Sequence, residues 1–185
     1  RRGGGAVMGA PTPAGAGAAG GLALELAKMR RLRTVPVAAA VAAATVALSG
    51  TDLFSADRAD FARPGSHMWE QLLLGYTLMS AITGPVLAAV LASRQTDIEH
   101  SGAGWTLFAT AGRTPGSLCR AKLAALAVVV VPTVLVQSLA LVAWARLSGV
   151  VVPLDALPWA LYTAGLAAVD LALCAFHVWL AAVVE

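Results

Sequence analysis

Residues 123–145 read LAALAVVVVPTVLVQSLALVAWA, an uncharged run. At a rise of 1.5 Å per residue, about 20 such residues cross the roughly 30 Å hydrocarbon core of a bilayer. The run is therefore predicted to be a transmembrane helix, with Pro132 as a kink and Thr133, Gln137 and Ser138 as its polar positions. Working outward from it, residues 72–92 form a second span, kinked at Gly84 and Pro85, and residues 159–184 form another. Residues 34–54 are richer in alanine, including Ala38, Ala39, Ala40, Ala42, Ala43 and Ala44. Small side chains let helix backbones approach closely, so this span is expected to pack against neighbours.

Composition agrees with the spans. The 185 residues are 58% hydrophobic and 12% charged, with a mean hydropathy of +0.76, against about 25% charged residues in ordinary soluble domains. The expected fold class is an all-α, polytopic helical membrane protein. A net charge of +3 and a pI near 9.3 do not point to nucleic acid, because the basic residues flank apolar spans instead of lining one soluble face. Cys119 and Cys174 form neither a disulfide framework nor a metal-ligand spacing.

The spans divide the basic residues into two sets. Ten fall on one side: Arg1, Arg2, Lys28, Arg30, Arg31, Arg33, Arg94, Arg113, Arg120 and Lys122. Arg58, Arg63 and Arg146 fall on the other, among Asp52, Asp57, Asp60, Glu70 and Asp155. The positive-inside rule makes the N-terminus and residues 94–122 cytoplasmic. Residues 1–21 are Gly-, Ala- and Pro-rich and read as a disordered low-complexity tail. Residues 22–33, LALELAKMRRLR, combine leucines with a basic cluster and suit a short interfacial elbow helix. The transmembrane domain occupies 34–185. The chain begins without methionine and stops at Glu185, at the end of a span, so further helices are expected.

No catalytic signature is present. His67, His100 and His177 are scattered, and neither an H-E-x-x-H nor a G-x-S-x-G pattern occurs. GAGAAG at 15–20 matches a dinucleotide fingerprint only formally, because no strand precedes it. Without a P-loop this chain binds no ATP in that manner; any ATP, with its Mg, would be handled by a partner, and no cofactor or metal is expected on this chain. Asp170 lies in the middle of the last span, where an ionised carboxylate costs on the order of 3 kcal/mol to insert. It shares a helix face with His177, two turns away. The pair reads either as the lining of a pathway, together with Gln137, or as polar contacts between helices to Gln137 or Ser138. Trp69, Trp144, Trp159 and Trp179 sit near span ends, as interface anchors do.

Between the second and third spans lies RQTDIEHSGAGWTLFATAGRTPGSLCRAK, residues 94–122. There Ile98, Trp105 and Phe108 fall on one helical face and Asp97, Glu99 and Thr106 on another, suited to a membrane surface or a protein partner. In order, the ELAKMRRLR cluster at 25–33, Pro85, Glu99, Trp105 with Leu107, and Lys122 resemble the N-terminal part of an ABC-2 type ABC transporter permease of the bacterial drug-export and lantibiotic-immunity type. The resemblance covers approximately residues 22–185. Where that family often carries a proline seven residues after the tryptophan and an arginine three further on, this chain has Gly112 and Pro115, with Arg113 displaced.

The resemblance implies that 94–122 is a coupling segment docking on a cytoplasmic ABC ATPase subunit through Glu99, Trp105 and Leu107. It also implies six spans, of which four are visible, and a second permease subunit in a homo- or heterodimer. The expected function is the permease subunit of an ATP-driven exporter in the bacterial cytoplasmic membrane, contacting membrane lipids and moving a drug, peptide antibiotic or lipid. Pro85 and Pro132 would let helices rock. The alternatives are a non-transporting scaffold or sensor that recruits a cytoplasmic partner, and a proton-coupled carrier using Asp170 and His177.

Overall fold

A computed structural model describes residues 14–101 and 115–183, with side chains placed for 21–97 and 116–183. The described residues form helices and turns without a strand. Helix α1 is Ala14–Arg31, α2 is Thr34–Ser49 and α3 is the single turn Asp52–Ser55. A 3-10 turn at Arg58–Phe61 follows, then α4, Met68–Ser101, α5, Pro115–Leu147, and α6, Ala156–Val183. Four segments are long and apolar enough to cross a membrane: Thr34–Ser55, Met68–Asp97, Gly116–Leu147 and Ala156–Val183. This is an all-α polytopic membrane protein.

Three helix ends reach past the segments read from the sequence. Helix α1 starts at Ala14, inside the stretch assigned to a disordered tail, since alanine favours helix enough to offset the interspersed glycines. Helices α4 and α5 also run beyond the hydrocarbon thickness, so much of the 94–122 insert is a continuation of the two spans. The polar residues at 94–101 and 115–122 interrupt the apolar pattern without interrupting the helical backbone. Pro85 and Pro132 likewise lie within continuous helices. Each proline removes a backbone donor, and a neighbouring threonine bonds back to its own helix: Thr83 Oγ1 to Met79 O at 3.0 Å, and Thr133 Oγ1 to Val129 O at 2.7 Å.

Helix α1 joins α2 through a sharp corner. Arg33 adopts the left-handed conformation, φ 53°, ψ 38°, at the position past a helix end where glycine is usual. At the other end of the bundle α5 stops in a Schellman turn: the Gly149 N–H donates to Arg146 O and the Val150 N–H to Ala145 O, both at 3.1 Å. The φ of 102° at Gly149 is one that a side chain would resist.

In the bundle, α2 and α6 lie on opposite sides and each packs against both α4 and α5, which touch each other little. The buried face of α2 is Thr34, Ala38, Ala42, Thr45 and Ser49, a helical stripe of small residues that admits close packing. The outward faces are apolar, with Leu74, Leu78 and Ile82 on α4 and Leu135 and Leu139 on α5, as lipid requires. One buried cluster, near α1, includes Met29, Leu87, Leu91, Leu126, Val130 and Cys174. A second, at the far end, includes Phe61, Trp69, Leu72, Tyr76, Leu141 and Trp159.

The far end is closed by the segments around Phe61 and Val152. The N–H groups of Val151 and Val152 both donate to Phe61 O, and Trp69 Nε1 donates to Val152 O at 3.0 Å. Arg146 donates to Val150 O and Val152 O and lies 4.9 Å from the Trp69 ring centroid. This corrects the reading of Trp69 and Trp159 as interface anchors. Both are buried and meet edge to face at 6.1 Å, because the loops fold over them. Trp179 is exposed.

Candidate functional site

The most highly charged buried site lies at the α1 end, where α4 leaves the apolar core and α5 enters it. The Lys122 ammonium is fully buried and would be prohibitive there alone. Its counter-charge comes from α1: Lys122 Nζ lies 3.2 Å from Glu25 Oε2, and Glu25 is itself 1% exposed. Lys122 Nζ also donates to the backbone carbonyl of Gln95 at 3.0 Å, and Gln95 Nε2 donates to Glu25 Oε2 at 3.1 Å. The second carboxylate oxygen accepts from Lys28 Nζ at 2.8 Å, one turn along α1.

Glu25 is thus bonded to three side chains on three helices. Beside it, Arg94 Nη1 donates to Leu32 O at 2.9 Å, placing a cation on the carbonyl end of α1, where the helix dipole favours it. Residues 94 and 95 lie in the last two turns of α4, Lys122 lies in the second turn of α5, and α1 bonds to both. Glu25 thereby joins α1 to α4 through Gln95 and to α5 through Lys122.

A second polar region crosses the bundle between the two apolar clusters. Tyr76 OH donates to Gln137 Oε1 at 3.1 Å. Thr163 Oγ1 donates to Trp159 O at 2.7 Å, so Ser138, 2.6 Å from that hydroxyl, supplies the proton between them. The Oγ1 atoms of Thr45 and Thr83 are 2.8 Å apart. Asp170 is 3% exposed, and its Oδ1 has no hydrogen-bond partner among the described residues. It seats against Gly84: a Cβ there would come 2.7 Å from Asp170 Oδ1. Ser80 Oγ is likewise buried and unpartnered among the described residues.

The residues singled out from sequence are distributed as follows. Gln137 and Asp170 are buried in this belt, but the partners expected for Asp170 are engaged elsewhere: Gln137 with Tyr76, and Ser138 with Thr163. His177 is half-buried and its Nδ1 lies 2.8 Å from Leu173 O on its own helix, so the structure does not join it to Asp170. Glu99 lies on the terminal turn of α4; its side chain, with Trp105 and Leu107, falls outside the described residues. Among the described residues no group of three or more His, Cys, Asp and Glu could hold a metal.

Sequence reasoning missed Glu25 and Gln95 as site residues and used Lys122 only as a family landmark. A usable signal existed: Glu25 is the only acid in an elbow otherwise carrying Lys28, Arg30, Arg31 and Arg33.

A family model described as ABC-2 family transporter protein matches residues 22–184. The match takes in the elbow, all four spans and both polar sites. No curated protein and no solved structure matches this chain.

Proposed function

Because the chain belongs to the ABC-2 transporter family and is thus a membrane permease component of an ABC transporter, we propose that it serves an ATP-driven exporter. A separate cytoplasmic ATPase subunit drives residues 94–122, and the cargo is a hydrophobic or amphipathic compound such as a drug, peptide antibiotic or lipid. The observation that carries this reading is the Glu25 clamp. It ties α1 to both helices that flank the coupling segment, so that one input moves the bundle. Glu99, Trp105 and Leu107 dock on the ATPase, which puts the α1 end on the cytoplasmic side of a bacterial cell membrane. A second permease subunit completes the transporter. Gln137, Asp170 and His177 are the candidates for pathway lining, with Pro85 and Pro132 as the points where helices bend.

The test is co-purification with candidate ATPases, followed by ATP-driven transport in proteoliposomes. Glu99→Ala and Trp105→Ala should abolish stimulation of transport by ATP while leaving the permease folded. If no nucleotide-binding subunit associates, the exporter reading fails in favour of a scaffold or sensor. A proton-coupled carrier draws its support from Asp170 Oδ1 alone, which has no partner among the described residues. It replaces the exporter reading if transport persists without ATP, follows a proton gradient and disappears in Asp170→Asn.

A further inference from the structure

Beside the clamp, α1, α2 and α5 line a half-open cavity of about 590 Å³ that the coupling mechanism does not use. Its wall on α2 is alanine (Ala38, Ala39 and Ala42), its wall on α5 is mostly valine, and Leu26 and Met29 of α1 close it above. The single hydroxyl in the lining, Thr133, is already bonded to Val129 O, so nothing in the wall asks for a polar occupant. At one end stand Arg30 and Arg33, both exposed, with neither guanidinium paired among the described residues. The strained left-handed backbone at Arg33 turns the chain at this mouth.

We propose that this cavity is a binding site for one anionic phospholipid, its phosphate held by Arg30 and Arg33 and one acyl chain laid between α2 and α5. Three observations select this occupant. The charge is confined to the mouth and the body is apolar, which matches the layout of a lipid and not that of a soluble anion. From Arg33 to Ala42 the site descends about 13 Å along α2 at 1.5 Å per residue, close to the roughly 15 Å thickness of one hydrocarbon leaflet. A second copy of the chain meeting this face across a two-fold axis would bring its own Arg30 and Arg33 against the first pair, an arrangement of like charges that opposes closure.

The site also explains why a span so rich in alanine tolerates an open flank. Its small side chains leave a channel that only a flexible hydrocarbon chain fills without ordering a protein partner. Occupancy would brace α1 against α2 and α5, next to the Glu25 clamp.

The experiment is lipid binding by the purified chain, read by native mass spectrometry and by thermal unfolding in detergent. The probes are phosphatidylglycerol and phosphatidylcholine with identical acyl chains. One phosphatidylglycerol per chain should be retained about 30-fold more tightly than phosphatidylcholine, the effect of two basic side chains at a lipid surface. Arg30→Gln with Arg33→Gln should abolish that preference, and the corresponding lysine pair should keep most of it. Ala39→Trp fills the channel and should release the lipid with both arginines intact.

Equal retention of the two lipids, or a preference that survives both the glutamine pair and Ala39→Trp, overturns the proposal. Competition by millimolar inorganic phosphate, with binding independent of acyl-chain length, overturns it in favour of a free-anion site. A change of oligomeric state in Ala39→Trp with no lipid effect overturns it in favour of a second copy of the chain.

Discussion

The clamp and the central belt both bury a carboxylate, and they treat it in opposite ways. Glu25 accepts hydrogen bonds from Lys28, Lys122 and Gln95, so both of its oxygens are occupied. Asp170 has a buried oxygen with no donor among the described residues and rests on the bare backbone of Gly84. The first arrangement is a structural joint, in which charge is spent on holding three helices in fixed relation. The second leaves interaction capacity unused at the centre of the bundle, where a joint between α4 and α6 could have been made with a single lysine or arginine. The difference separates a fully bonded carboxylate from one with an acceptor to spare.

The sharpest way to break this contrast is to remove charge from each site in turn. Glu25→Gln should destabilise the fold by about 3–5 kcal/mol, because it strands a fully buried ammonium. Adding Lys122→Met should recover most of that loss, with both measured by denaturant unfolding in detergent. A single-variant loss below 1 kcal/mol would mean the clamp is solvated and carries no load.

Asp170→Asn should act with the opposite sign at neutral pH. Removing an uncompensated carboxylate from the span raises stability by up to about 3 kcal/mol in the same assay. A loss comparable to that of Glu25→Gln would erase the distinction between the two sites. The smallest effect concerns space rather than charge. Gly84→Ala pushes a methyl group into Asp170 Oδ1 and should cost about 1–3 kcal/mol, and combining it with Asp170→Ala should relieve the cost. Thermal unfolding of the four proteins in this cycle reads the coupling directly.

The two sites also differ in how far they could be read from sequence. The spans themselves were legible because an uncharged run long enough to cross a bilayer has few other uses, and the inward position of Asp170 followed from the cost of exposing a carboxylate to lipid. What periodicity could not supply was pairing. Glu25 and Lys122 lie 97 residues apart, and their contact depends on α1 folding back over the entrance of α5. The full lengths of the helices lie beyond an apolar-span reading for a related reason. Polar residues mark where the apolar pattern stops, but α4 and α5 continue through them, and the elbow supplies partners for Arg94, Gln95 and Lys122. Trp69 and Trp159 were misread because loop residues around Val152, distant from Trp69 in sequence, provide the cover that makes both part of the core.

The long separation between the two halves of the clamp has a consequence in time. Glu25 leaves the ribosome 97 residues ahead of the lysine that completes its site, which at 5–20 residues per second is an interval of roughly 5–20 s. Throughout it the carboxylate must wait with Lys28 as its companion from the same helix. The joint between α1 and α5 can therefore close only after the intervening two spans have been synthesised.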